Sequence, residues 1–119
     1  MLELKGIHKS YRGKRFEQKA LTGIEIAFRD TESVILLGPD GSGKTSFLKV
    51  ISGLSSYDEG DLLFNGASTK NFRQKDWDKF RNHKIGFISK NHNLISYQTV
   101  LANVKTSLAL AGKNSIKRI

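Results

Sequence analysis

Apolar positions recur with period two at the start of the chain and with helical period further along. Leu2, Leu4 and Ile7 interleave with Glu3 and Lys5, which predicts a strand over residues 1–11. A polar turn around Gly13 fills residues 12–19. Leu21, Ile24, Ile26 and Phe28 then predict a second strand over 20–28, antiparallel to the first. After a turn at 29–32, the unbroken run Val-Ile-Leu-Leu at 34–37 has the composition of a buried parallel strand. Phe47, Leu48, Val50, Ile51 and Leu54 recur at helical spacing, with Gly53 placed to stop the helix. Residues 60–66 form a short strand closing in an Asn65-Gly66 turn, followed by a polar connection over 67–74. Trp77 and Phe80 mark a short amphipathic helix over 75–83, and Ile85-Gly86-Phe87-Ile88 is a second run of buried-strand type. A polar loop over 89–98 leads to Thr99, an N-cap for a helix with Val100, Leu101, Val104, Leu108 and Leu110 on its apolar side, ending near Gly112. Residues 113–119 begin another helix.

Between the run at 34–37 and the helix after it stands Gly38-Pro39-Asp40-Gly41-Ser42-Gly43-Lys44-Thr45. It fits G-x-x-x-x-G-K-[ST], the phosphate-binding loop of nucleoside triphosphatases, in the strand–loop–helix context that motif requires. The residue types follow from the chemistry. Gly38, Gly41 and Gly43 permit backbone angles that side chains forbid, so successive N–H groups turn inward around an anion. The next helix adds its free N-terminal N–H groups and the positive end of its dipole. Lys44 supplies a compact charge to the β- and γ-phosphates, and Thr45 offers a hydroxyl to Mg²⁺.

Composition changes this picture little. The chain has 119 residues, enough for one domain at most, and a formal charge of +9. A basic surface suits a phosphate ligand, an anionic membrane face or nucleic acid, and equally a merely solvated face. With no arginine-rich tract and no aromatic-interleaved basic run, nucleic acid is not an expected partner. The absence of cysteine excludes disulfides and thiolate metal sites. Apolar runs are too short to cross a bilayer.

The order of elements and several local motifs together resemble the nucleotide-binding domain of ABC transporters, most of all the macrolide-export and lipoprotein-release group. The matching residues are Leu2-Glu3-Leu4 with Lys9-Ser10-Tyr11; Ala20-Leu21-Thr22-Gly23-Ile24; the glycine loop; Gly53-Leu54; Gly60-Asp61-Leu62-Leu63-Phe64-Asn65-Gly66; Phe80-Arg81-Asn82; Ile85-Gly86-Phe87-Ile88; and Asn93-Leu94-Ile95 through Thr99-Val100-Leu101-Ala102-Asn103-Val104. The resemblance covers essentially the whole chain. It implies an α/β P-loop NTPase fold: an ABC-type ATPase core with an N-terminal antiparallel β region over 1–97, and the start of a helical subdomain over 98–119. It also implies that Tyr11 stacks on an adenine ring, that Ser46 reaches the α-phosphate, and that ATP and Mg²⁺ are the ligands. The implied partners are a membrane permease and a second ATP-binding domain arranged head to tail, at the cytoplasmic face of the cell membrane.

Two departures from the family pattern matter. Lys90 stands where the family has a glutamine that touches Mg²⁺ and places the attacking water. An ammonium is repelled by Mg²⁺ and accepts no hydrogen bond, so Lys90 is expected to weaken hydrolysis while leaving nucleotide binding intact. Thr31 replaces a usual glycine and implies only a differently shaped turn. The second departure is that no Leu-Ser-Gly-Gly-Gln-type signature, strand-ending aspartate, catalytic glutamate or late histidine occurs before Ile119. The chain therefore reads as the first half of a domain, which binds nucleotide at most and does not hydrolyse it alone. The runner-up reading is a non-hydrolysing, ATP-sensing module. An unrelated kinase or GTPase is disfavoured by Tyr11 and by the wording from Ile85 to Val104.

Overall fold

The computed structural model describes residues 1–112, so the helix expected over 113–119 lies outside the described residues. The chain divides into two compact units, Met1–Trp77 and a second from Asp78 onward. Strands β1 (Leu2–Arg12), β2 (Glu17–Phe28), β3 (Glu59–Phe64) and β4 (Ala67–Ser68) and helices α1 (Lys44–Ile51), α2 (Gln74–His83) and α3 (Val100–Leu110) follow one another as β1-β2-α1-β3-β4-α2-α3. The four strands form one sheet in the order β2-β1-β3-β4, with every pair antiparallel.

The expected hairpin is present, with Leu4 opposite Ile26 and Ile7 opposite Ile24. Its register slips around Gly6 and again near Lys9, and the slip at Gly6 lets residues three apart share a face. Leu4, Ile7 and Lys9 consequently all point inward although their spacing is uneven. The Asn65-Gly66 turn has positive φ at both residues, the geometry that joins two tightly paired strands. It returns the chain as β4, two residues that the sequence pattern had assigned to a polar connection.

One face of this sheet receives α1. Phe47 and Val50 pack with Leu4, Ile7, Leu21 and Leu62, flanked by Leu2, Ile24, Phe28, Ile51, Tyr57 and Trp77. Each fully buried aliphatic or aromatic side chain stabilises the fold by about 1.5–3 kcal/mol relative to exposure. Helix α1 ends as expected at Gly53, whose N–H donates to the Val50 carbonyl while the Leu54 N–H reaches back to that of Lys49.

The tightest backbone approach lies between β1 and β3. Gly60 has φ +94°, and a Cβ on it would stand 2.6 Å from both the Gly6 carbonyl carbon and the Lys5 carbonyl oxygen. All of these atoms belong to backbone, so no side chain can move aside to make room.

In the second unit, Thr99 caps α3 as expected, its hydroxyl accepting from the Ala102 N–H at 3.1 Å. The Asn103 side chain ties the preceding loop to the helix. Its Oδ1 accepts from the Ile95 N–H at 2.8 Å, and its Nδ2 donates to the Ile95 and Thr99 carbonyls. No residue of α3 is buried; of the apolar side expected there, Val100, Leu101, Val104 and Leu110 are exposed and Leu108 is half-buried.

Two expected elements are corrected. Residues 34–37 and 85–88 form no hydrogen-bonded strand, and they are not buried: Ile35 is 82% exposed, Leu37 86% and Ile88 91%. Their β-rich composition specifies a parallel sheet interior, but a strand exists only through neighbours on its hydrogen-bonding edges. The four strands present pair with each other, and among the described residues none pairs with these runs.

These features carry two expectations. Replacing Gly60→Ala lowers stability by about 2–4 kcal/mol, from strain at positive φ plus backbone overlap, measured as a fall in the denaturant midpoint of the intact protein. The 119-residue chain by itself, with these apolar runs exposed, unfolds without a sharp reversible transition or aggregates on heating. Calorimetry showing one sharp, reversible peak contradicts this.

Candidate functional site

The glycine loop joins the exposed run at 34–37 to α1, and its geometry is set at both ends. At the helix end, Gly43 has φ +94°, and a Cβ there would lie 2.5 Å from the Ala20 carbonyl oxygen of β2. Only glycine allows the loop to enter the helix this close to the sheet. Gly41 also has positive φ, as expected of an inward-turned backbone. Gly38 does not, which corrects the expectation for that residue. Its value is space: a Cβ there would come within 2.6 Å of the Ser42 hydroxyl.

Lys44 lies across the loop. Its ammonium donates to the Gly38 carbonyl, to the Pro39 carbonyl at 2.7 Å and, at 3.4 Å, to the Ser42 hydroxyl. The Ser42 N–H closes a turn onto the Pro39 carbonyl at 3.2 Å. Helix α1 begins with no side-chain cap and no acidic residue in its first turn, so its amino end keeps its positive character. Thr45 is exposed at that end, whereas Ser46 is half-buried. Pro39 and Asp40 lie on the exposed outer limb of the loop.

Tyr11, exposed near the end of β1, stands beside α1. The Ser46 hydroxyl holds its phenol below the ordinary tyrosine value, with smaller help from the Ser55 hydroxyl and from the Lys9 and Lys49 ammonium groups; partial burial pushes the other way. Tyr11 and Ser46, 35 positions apart in the chain, are thus brought together beside the loop. The end of β1 is itself fixed by Asp58, whose carboxylate accepts from the Ser10 N–H at 2.7 Å while its own N–H donates to the His8 carbonyl.

Lys49, Ser55 and Asp58 were not among the residues singled out from sequence, and Lys9 was named only within the matching stretch Lys9-Ser10-Tyr11. Lys9 alone left a signal there, since it falls two positions after Ile7 on a strand whose inward side is otherwise apolar. Lys90 belongs to the second unit, where it is exposed at the start of a turn over 90–93. Within that unit, the Ser89 hydroxyl and the Gln98 side-chain oxygen are buried without a hydrogen-bond partner among the described residues.

The family model described as ABC transporter matches residues 21–118. The bacitracin export ATP-binding protein BceA of Halalkalibacterium halodurans is 34% identical over 110 residues, which is 92% of this chain and 44% of that protein. The lipoprotein-releasing system ATP-binding protein LolD of Bacteroides thetaiotaomicron is 33% identical over 115 residues, 97% of this chain and 51% of that protein. A bacterial ABC transporter cassette solved as a dimer matches with a TM-score of 0.87 at 32% identity, covering 93% of this chain and 48% of that one. A cassette in a post-hydrolysis state bound to ADP and Pi matches with a TM-score of 0.89 at 30% identity, covering 98% of this chain and 50% of that one. The chain spans about half the length of the curated relatives it matches, and it fits the macrolide-export and lipoprotein-release group. The glycine loop, its antiparallel β region and these likenesses together show that this chain belongs to the ABC transporter family of ATP-binding cassettes, with the α/β core of a P-loop NTPase.

Proposed function

We propose that this chain is the ATP-binding part of an ABC-type ATPase that couples nucleotide to a membrane permease, working with a second ATP-binding domain at the inner face of the cell membrane. The observation that carries the reading is the loop itself: a backbone turned inward at Gly41 and Gly43, a lysine ammonium lying across it, and an uncapped helix start behind it. Gly38, Pro39, Asp40, Gly41, Ser42 and Gly43 wrap the phosphates, with the N–H groups of Lys44, Thr45 and Ser46 behind them. Lys44 neutralises the β- and γ-phosphates, and Tyr11 offers its ring to the adenine.

The donor set fits a nucleotide-borne Mg²⁺ better than a protein-held one. Among the described residues no group of three or more His, Cys, Asp or Glu side chains gathers to hold a metal. Thr45 would contribute one hydroxyl, with phosphate oxygens and water as the remaining ligands. Bound there, Mg²⁺ would supply charge neutralisation on the phosphates. No helix among the described residues is long and apolar enough to cross a membrane.

A second reading, an ATP-sensing module that does not turn nucleotide over, is favoured by one residue. Lys90 occupies the position where the family resemblance expects a glutamine, and an ammonium cannot accept a hydrogen bond from an attacking water.

Two measurements test these readings. Lys44→Ala in the intact protein weakens ATP binding at least about 100-fold, as expected for loss of a charge-assisted phosphate contact of roughly 3 kcal/mol; labelled ATP binding equally well to both proteins overturns the proposal. Lys90→Gln raises the steady-state ATPase rate of the intact protein with little change in ATP affinity. An unchanged rate removes the argument for a hydrolysis defect at this position.

A further inference from the structure

Lys9 is a largely covered side chain that the phosphate-binding loop does not use. It is only 8% exposed, on the face of β1 that carries Leu4 and Ile7, and it pairs with no carboxylate among the described residues. Its Nζ stands 5.2 Å from the centroid of the Tyr11 ring, within the range of a cation–π attraction.

Tyr11 is thereby held at two places. Lys9 stands over the ring, while the hydroxyl lies among Ser46 and Ser55, with Lys49 close enough to act on the phenol through its charge. The side chain nevertheless keeps 38% of its surface exposed. A ring held both at its face and at its hydroxyl has little rotational freedom left to lose when a flat ligand stacks on the part that remains open.

We infer that Lys9 is a positioning residue for base binding: it braces the Tyr11 ring so that the open part of the ring is presented, pre-oriented, to the nucleobase. The inference rests on the proposed reading of Tyr11 as the adenine platform. Lys9 acts through Tyr11 and touches no phosphate, which separates its effect from that of Lys44. The contribution depends on the cation and not on the length of the aliphatic stem.

The test compares ATP with inorganic triphosphate, which has the phosphates but no base, on the intact protein. Lys9→Met keeps most of the buried volume and removes the charge. It is expected to weaken ATP roughly three- to tenfold and to leave triphosphate affinity unchanged. Lys9→Arg, which keeps a cation able to lie over the ring, is expected to restore most of the ATP affinity. In a Tyr11→Ala background, Lys9→Met is expected to have no further effect on ATP. Equal weakening of ATP and triphosphate by Lys9→Met overturns the inference and makes Lys9 a determinant of the fold. Weakening of ATP that persists without the Tyr11 ring also overturns it, because Lys9 then contacts the ligand directly. No change in ATP affinity overturns it as well, while leaving the ATP-binding reading intact. Failure of the unaltered protein to bind either ligand sinks that reading itself, and this inference with it.

Discussion

Where the glycine loop enters α1, its backbone lies against the Ala20 carbonyl of β2, and one added methyl group would stand 2.5 Å from that oxygen. This contact fixes where the amino end of α1 begins. The other end of the same constraint is the buried side of the helix. Phe47 and Val50 sit among Leu4, Ile7, Leu21 and Leu62, and Phe47 also meets Phe28 with ring centroids 6.3 Å apart. One anchor sets the position of the helix and the other sets its rotation, since successive residues are about 100° apart around the axis. A helix so short would be marginal without tertiary packing, so the loop geometry rests on the sheet beneath it.

Rotation of α1 decides which side chains face the end of β1. With Phe47 and Val50 turned inward, Ser46 and Lys49, three residues apart and so neighbours on the helix surface, come beside Tyr11. The strand contributes its own adjustment. Without the register slip near Gly6, strict alternation from Leu4 would turn Ile7 and Lys9 to the opposite face. The backbone at Gly60 can approach that irregular stretch only because it has no side chain. A glycine on β3 therefore helps to shape the strand end that carries Tyr11.

What was legible in the sequence was local. The Asn65-Gly66 turn, the stop at Gly53, the cap at Thr99 and the glycine loop each depend on a few neighbouring residues, and each stands where its residues place it. The runs at 34–37 and 85–88 were misread for the opposite reason. A continuous apolar run describes the environment that a strand needs, while its hydrogen bonds must come from a neighbouring strand. The surroundings of Tyr11 were hidden in a third way. Lys9, Lys49, Ser55 and Asp58 converge from β1, α1 and the segment before β3, and no periodicity relates them. Lys9 could have been noticed as a cation on an apolar strand face, but its partner ring becomes visible only in three dimensions.

The two limbs of the loop are held by different forces. The outgoing limb is pinned by packing at Gly43 and by the buried helix. The incoming limb follows an exposed run without ladder partners, and it is tied to the rest of the loop by Lys44 and by the Ser42 N–H on the Pro39 carbonyl. An ammonium has three donors, and here three acceptors meet them: the Gly38 and Pro39 carbonyls and the Ser42 hydroxyl. A phosphate oxygen approaching this charge must take over at least one of those donors. The Ser42 contact, at 3.4 Å, is the longest of the three and the least costly to give up. Ser42 remains tied to Pro39 through its backbone, so the loop keeps its turn while the ammonium changes partner. Under the proposed reading, the lysine can then hold the two limbs together through the carbonyls and bind the ligand through the donor released from Ser42.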